Sequence, residues 1–279
     1  RLLTIEQWGT QQWTSMLSGF EDCPNLKLNA DDVPDFSQLT SLEDMFKKCT
    51  NFEDLKDTIG IWDVSTVERI DDMFAYCTRF NEDITQWTFN NLTNASRIFE
   101  NATAFNQNIA NWNVSKVENF ESMFEGATAF NQPIGSWTIG TVEYMINMFK
   151  GASAFNQDIS NWDMSNVQEL EDMFKDASNF DQNLGGWDIS NVVYMEDIFV
   201  GTALSQENYD ATLIGWATLD AGETKIPVDI EFSADASYCL AEAARNTLTS
   251  SPYNWTINDG GHNCPTPVIT LLGDNPQII

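Results

Sequence analysis

The sequence predicts an α/β solenoid, and three observations carry that expectation. A tryptophan recurs every 25 residues, at Trp62, Trp87, Trp112, Trp137, Trp162 and Trp187. Two phenylalanine columns keep the same period: Phe74, Phe99, Phe124, Phe149, Phe174 and Phe199, then Phe80, Phe105, Phe130, Phe155 and Phe180. Each unit also joins an alternating apolar stretch to a helix-spaced one. Self-similarity at such a period marks stacked supersecondary units, each unable to bury its apolar face alone.

Each element follows from one unit, "NWNVSKVENFESMFEGATAF". Trp112 and Val114 alternate with Asn111, Asn113 and Ser115, which predicts a short half-buried strand. Ser115 and Glu118 fit a helix capping box, and Val117, Phe120, Met123, Phe124 and Ala127 then form one apolar face. A short helix or 3₁₀ turn is expected there. The fold class is thus a right-handed solenoid of leucine-rich-repeat type, with short parallel strands, short helices and a cap at each end. Strands stacked about 4.8 Å apart make about eight coils roughly 40 Å long.

The array degrades toward its start. "MFKKCTNF" (Met45 to Phe52) aligns with "MFAYCTRF" (Met73 to Phe80) at a spacing of 28, placing an insertion near Asp57 to Gly60. "FEDCPNL" (Phe20 to Leu26) aligns further back, and Pro34 then stands where a tryptophan belongs. Residues 1–33 are assigned to an N-terminal cap with a degenerate first repeat, and 34–204 to the array. Residues 205–264 form an expected C-terminal α/β cap. In it, Ser205 starts a helix through Leu219, with Tyr209, Leu213 and Trp216 inward. Strands are expected at Ile226 to Phe232 and Asn254 to Ile257, with a helix from Asp235 to Leu248 between them. Residues 265–279 read as a linker or the start of an Ig-like domain.

Composition narrows the function classes. The 279 residues carry 13 Lys+Arg against 42 Asp+Glu, a net charge of −29. Such a surface repels nucleic acid and anionic membranes, which are bound by clustered Lys and Arg. No stretch approaches the roughly 18 apolar residues of a membrane span. The chain opens "RLLTIEQWGT", without Met or a signal-peptide pattern, and reads as a segment of a longer protein.

No catalytic constellation stands out. The single histidine, His262, lies in a Gly-rich turn beside Cys264, an arrangement unlike a nucleophile–base pair. Nucleophile-elbow, phosphate-loop, H-E-x-x-H and calcium-loop patterns are lacking. The acidic pairs Glu43-Asp44, Asp71-Asp72, Glu171-Asp172 and Glu196-Asp197 recur in one register and read as a solvated convex face. No cofactor is expected, although acidic rows are compatible with loosely held calcium.

Cys23, Cys49 and Cys77 share a column that later coils fill with Ala102, Ala127, Ala152 and Ala177, so buried free thiols are expected. Cys239 and Cys264 flank the second cap helix and, in an exported protein, are the disulfide candidates. The Asn81, Asn106, Asn131 and Asn156 column, with Gln107, Gln132, Gln157 and Gln182, predicts side-chain ladders that satisfy buried turns. The tryptophans share their strand face with core residues such as Met164 and are expected to be buried. The outward neighbours then become the candidate ligand surface: Asp63, Thr88, Asn113, Thr138, Asp163 and Asp188 after each Trp, and Asn111, Ser136 and Asn161 before.

The unit, quoted as Met173-Phe174, Ala177, Phe180 and then Ile159, Trp162-Asp163-Met164-Ser165-Asn166-Val167, resembles the BspA-like leucine-rich-repeat surface proteins. "IEQWGTQQWTSM" and "ENYDATLIGWATL" are similar to the flanks of such arrays in Bacteroidetes, so the resemblance spans about residues 5 to 264. It implies a secreted or cell-surface protein that adheres to extracellular proteins or glycans, with flanking domains of the same chain as further partners. It supplies no catalytic residues. The alternative expectation is a purely structural spacer. Ice binding is a minor one, because Thr fills only two of the six places after Trp.

Overall fold

In the computed structural model, which describes residues 2–264, the 25-residue sequence period becomes a hydrogen-bond period. Single parallel bridges join successive units at Ser41, Arg69, Asn94, Asn119, Tyr144, Glu169 and Tyr194. At the N-terminal end the pairing lengthens into a parallel sheet of β1 (Thr4–Ile5), β2 (Lys27–Leu28) and β3 (Glu53–Asp54). The inserted residues form a 3₁₀ turn at Ile59–Ile61.

The expected helix of each unit is a stack of tight turns instead. The amides of Phe120, Ser122, Phe124 and Gly126 donate to Tyr144, Ile146, Met148 and Lys150 of the next coil at 2.7–2.9 Å. The amides between them, on Met123, Glu125 and Ala127, donate three residues back at 3.0–3.1 Å. An α-helix would send every amide four residues back. The cause is a pair of left-handed residues in each coil, such as Ser122 (φ 52°) and Gly126 (φ 66°). Equivalent pairs run from Ser18 and Asp22 to Asp197 and Gly201, eight pairs among the described residues. Asp, Asn and Gly dominate these columns because they tolerate positive φ. A Cβ at Gly126 would also sit 2.5 Å from Asn101 Oδ1.

The expected capping box does not form. Ser115 donates its amide and hydroxyl to Asn113 Oδ1 at 3.2 and 2.8 Å. The alternating stretch Trp112–Val114 carries no ladder, so the inter-coil pairing lies in the segment expected to be helical.

The core runs through the coils as columns. Successive rings of the Phe74-to-Phe199 column stack 5.6–6.1 Å apart. Within one coil Phe124 stacks on Phe130 at 3.9 Å. The repeat tryptophans are at most 5% exposed. The indoles of Trp87, Trp112, Trp137, Trp162 and Trp187 donate to carbonyls 28 residues back, at 2.8–3.4 Å. Each indole N–H therefore ties its coil to the previous one.

The amide ladder completes the stack. Asn106, Asn131 and Asn156 donate their backbone N–H to the side chain of the asparagine one coil earlier, at 2.8–3.0 Å. Gln132, Gln157 and Gln182 add side-chain bonds to Oδ1 of Asn106, Asn131 and Asn156.

The C-terminal segment continues the parallel pairing. β4 (Met195–Phe199), β5 (Glu231–Ala234) and β6 (Thr256–Asn258) lie side by side in chain order. Helix α1 (Gln206–Trp216) joins β4 to β5, and α2 (Glu242–Thr249) joins β5 to β6. Ser205 caps α1 by accepting from the Asn208 amide, and Tyr209, Leu213 and Trp216 are buried. Helix α2 starts later than expected, because the Asp210 carboxylate takes the amides of Cys239, Leu240 and Ala241. The expected strand at 226–232 also begins late, at Glu231. The linker or Ig-like assignment for 265–279 lies outside the described residues.

Candidate functional site

The residues flanking each tryptophan reach solvent but are not all free to bind. Asp63, Thr88, Asn113, Thr138 and Asp163 are exposed, as are Asn111, Ser136 and Asn161, whereas Asp188 is half-buried. Asp63, Asn113, Asp163 and Asp188 each accept the amide two residues on, at 2.9–3.2 Å, closing a local turn. Hydrogen bonds from the Ser65 hydroxyl and amide lower the Asp63 pKa. Four of the nine candidate side chains thus serve backbone geometry first.

The ladder column offers different chemistry. Its residues Arg69, Asn94, Asn119, Tyr144, Glu169 and Tyr194 lie one per coil along the bridge line. Tyr194 is 46% exposed and its neighbour Val193 52%. Tyr144 is half-buried, and the adjacent Glu143 carboxylate pushes its phenol up. Two tyrosines therefore stand two coils apart, about 10 Å by strand spacing, with Glu169 between them. Aligning the units at a period of 25 places these residues in one column, but only the bridges identify it as a surface.

The acidic pairs are not a uniformly solvated face. Asp71 and Asp72 are 3% and 6% exposed. Arg69 pairs with Asp71 at 2.9 Å, and Arg97 with Asp72 at 3.0 Å. Lys47 bridges Asp44 and Asp72 at 2.8 and 2.9 Å, and Lys175 reaches Asp197 at 2.8 Å. The Lys47–Asp72, Arg97–Asp72 and Lys175–Asp197 pairs link adjacent coils, and the other two lie within one coil. Burial and the neighbouring Glu169, Glu196 and Asp172 carboxylates raise the Glu171 pKa. Among the described residues, no group of three His, Cys, Asp or Glu has metal-holding geometry.

Cys239 and Cys264 are joined by a disulfide. His262 Nε2 lies 3.4 Å from the Cys264 sulfur, which is therefore bonded and not a free thiol nucleophile. Cys23, Cys49 and Cys77 are buried free thiols. The Cys49 and Cys77 thiols donate to the carbonyls of Phe20 and Phe46 at 3.1 and 2.9 Å. Burial pushes Cys49 up to about 12 and Cys77 well above the ordinary thiol range.

A thiol reagent should therefore find no reactive thiol in the folded chain and three after unfolding without reductant. A raised folded-state pKa also fixes the pH dependence. The thiol contribution is fully present below about 8.5, the unfolded value, and is lost as pH rises from there. Ionisation of Cys49 and of Cys77 in the unfolded chain should each lower stability by up to about 1.4 kcal/mol per pH unit above that point. Urea unfolding from pH 8 to 10.5 tests this, and Cys77→Ala should flatten the slope; an unchanged slope would count against burial as its source.

Among the described residues no helix is long and apolar enough to cross a membrane. No curated protein and no solved structure matches the chain. A family model described as "Mycoplasma protein of unknown function, DUF285" matches residues 14–137 and again 105–212, two overlapping stretches that together span the stacked coils. The chain belongs to that family.

Proposed function

We propose that this chain is an interaction module of a BspA-like cell-surface or secreted protein. The module is built as a leucine-rich-repeat-type α/β solenoid and presents its ladder face to an extracellular protein or glycan. The observation that carries this reading is the Tyr144–Glu169–Tyr194 column, whose aromatic side chains break the non-aromatic, polar run of Ser41, Arg69, Asn94 and Asn119. Exposed tyrosines pair a flat apolar ring with a hydroxyl, which suits both sugar faces and protein hot spots. The net charge of −29 disfavours nucleic acid as the ligand. In this reading the chain has no catalytic activity and needs no cofactor.

Glycan-array and pull-down screening of the chain tests the proposal. Replacing both Tyr144 and Tyr194 by Ala should weaken the captured ligand at least about tenfold, the loss of two modest hot spots. The melting temperature should move by no more than about 2 °C, because surface substitutions cost little. Silence across broad protein and glycan panels would instead leave the spacer reading. Robust turnover in hydrolase screens would overturn the non-catalytic assignment.

A further inference from the structure

The coil-to-coil rule of the tryptophans has an unfilled end. From Trp87 to Trp187 every repeat indole donates to a carbonyl of the preceding coil. Trp216 and Trp255 keep the rule in the C-terminal segment, donating to Leu184 and Pro227 at 3.0 and 2.8 Å. At the opposite end the indole N–H groups of Trp8 and Trp13 are buried and have no acceptor. Trp62 also lacks one; its counterpart 28 residues earlier is Pro34, and its ring is closed in by Trp8 and Phe36. Trp8 and Trp13 differ in lining an open groove of about 390 Å³ with Leu2, Thr4, Glu6 and Phe20.

Among the described residues the same groove borders an unpaired sheet edge. β1 is the outer strand of its sheet. The Leu3 and Ile5 carbonyls accept the Lys27 and Asn29 amides, both at 2.9 Å. Alternate residues of a strand direct their backbone groups to opposite sides, so those of Thr4 and Glu6 face the open edge. Leu2 and Leu3, just before that strand, are 46% and 62% exposed. An occupant must therefore supply main-chain carbonyls, main-chain amides and apolar side chains together. An extended polypeptide does so, and small solutes and sugars do not.

We propose that the N-terminal end of the array is a β-augmentation site. It takes an extended peptide parallel to β1, with apolar side chains in the Trp8–Trp13 groove and basic side chains outward. The added strand continues the parallel pairing of β1 and β2 by one step. Charge selects the partner. Glu6 lines the groove and the chain carries −29, so a lysine-bearing strand is attracted and a second copy of this chain is repelled. The site lies at the end of the array, away from the tyrosine column, and stands or falls independently of it.

The test uses the full chain and a fluorescent, end-blocked heptapeptide of alternating lysine and valine, read by anisotropy at low salt. Saturable binding is expected. A control peptide with N-methylated alternate amides keeps the charge but cannot pair with the edge, and should bind at least about tenfold more weakly, the value of two or more hydrogen bonds. Thr4→Pro removes an amide that faces only the open side and should weaken binding comparably. Equal binding of the native and N-methylated peptides would overturn the proposal, because it marks adsorption by charge alone. So would an absence of saturable binding, or dimerisation of the chain that Thr4→Pro abolishes, which would make a second copy the occupant. The peptide comparison uses the native chain, so the result does not depend on a variant folding.

Discussion

Phe124→Ala should lower the free energy of unfolding by about 3–5 kcal/mol, as truncation of a fully buried ring does. Phe124 has no exposed surface and sits mid-array. It stacks on Phe130 at 3.9 Å in its own coil, and on Phe99 and Phe149 at 5.8 and 5.6 Å in the neighbouring coils. Its removal opens a cavity at the crossing of three stacks. Neighbouring coils cannot close in, because the amides of Phe120, Ser122 and Gly126 fix their separation. In a stacked array such a loss acts on the interface to both sides. Urea unfolding followed by circular dichroism measures it. Phe20→Ala is the control: Phe20 is only half-buried at the end of the same column, and its loss should be clearly smaller. A cost below about 1.5 kcal/mol for Phe124→Ala would contradict the stacked-column account of stability.

The burial of the tryptophans was legible because Trp162 alternates with Met164, and two residues apart on an extended segment share a face. The amide ladder was legible for a similar reason: an asparagine repeated once per coil can bond only to its own copies. Local geometry was not legible. Val117, Phe120, Met123 and Phe124 keep helical spacing, yet consecutive tight turns place the same residues inward. What separates the two is the left-handed column at Ser122, Asn147, Asp172 and Asp197, residue types that also suit an exposed helix face. Mistaking that column for surface also turned Asp71 and Asp72 into solvated acids, when Arg69, Lys47 and Arg97 hold them inside the stack.

The candidate surface shifted for the same reason. With the ladder placed at Trp112–Val114, its outward neighbours Asn111 and Asn113 are the natural binding row. The bridges run instead through Asn119 and Tyr144, so the column along the ladder is the one that ends at the exposed Tyr194. Several residues of the first row close turns, a role their Asp and Asn identities serve as well as any ligand. Polar residue type alone does not separate those two uses; only the hydrogen-bond partners do.

Asp210→Ala should have the second large effect, about 2–4 kcal/mol, by stripping three amides of one charged acceptor. Asp210 is 5% exposed within α1, and its carboxylate takes the Cys239, Leu240 and Ala241 amides, each at 2.9 Å. One side chain thereby docks α1 against the start of α2. An alanine leaves the amides to find water at a site packed against Tyr238 and Ala241, both buried. Asp210→Asn keeps one carbonyl oxygen and should lose about half as much. The Cys239–Cys264 disulfide still tethers this segment in either variant. The damage should therefore be local: hydrogen exchange should accelerate from Cys239 through α2 while Phe120 to Gly126 keep their protection. Adding a reductant to Asp210→Ala should deepen the loss, because the tether and the carboxylate hold the same chain segment. Exchange that accelerates evenly across the array, or equal melting of the Ala and Asn variants, would show that Asp210 is not the clasp between the two helices.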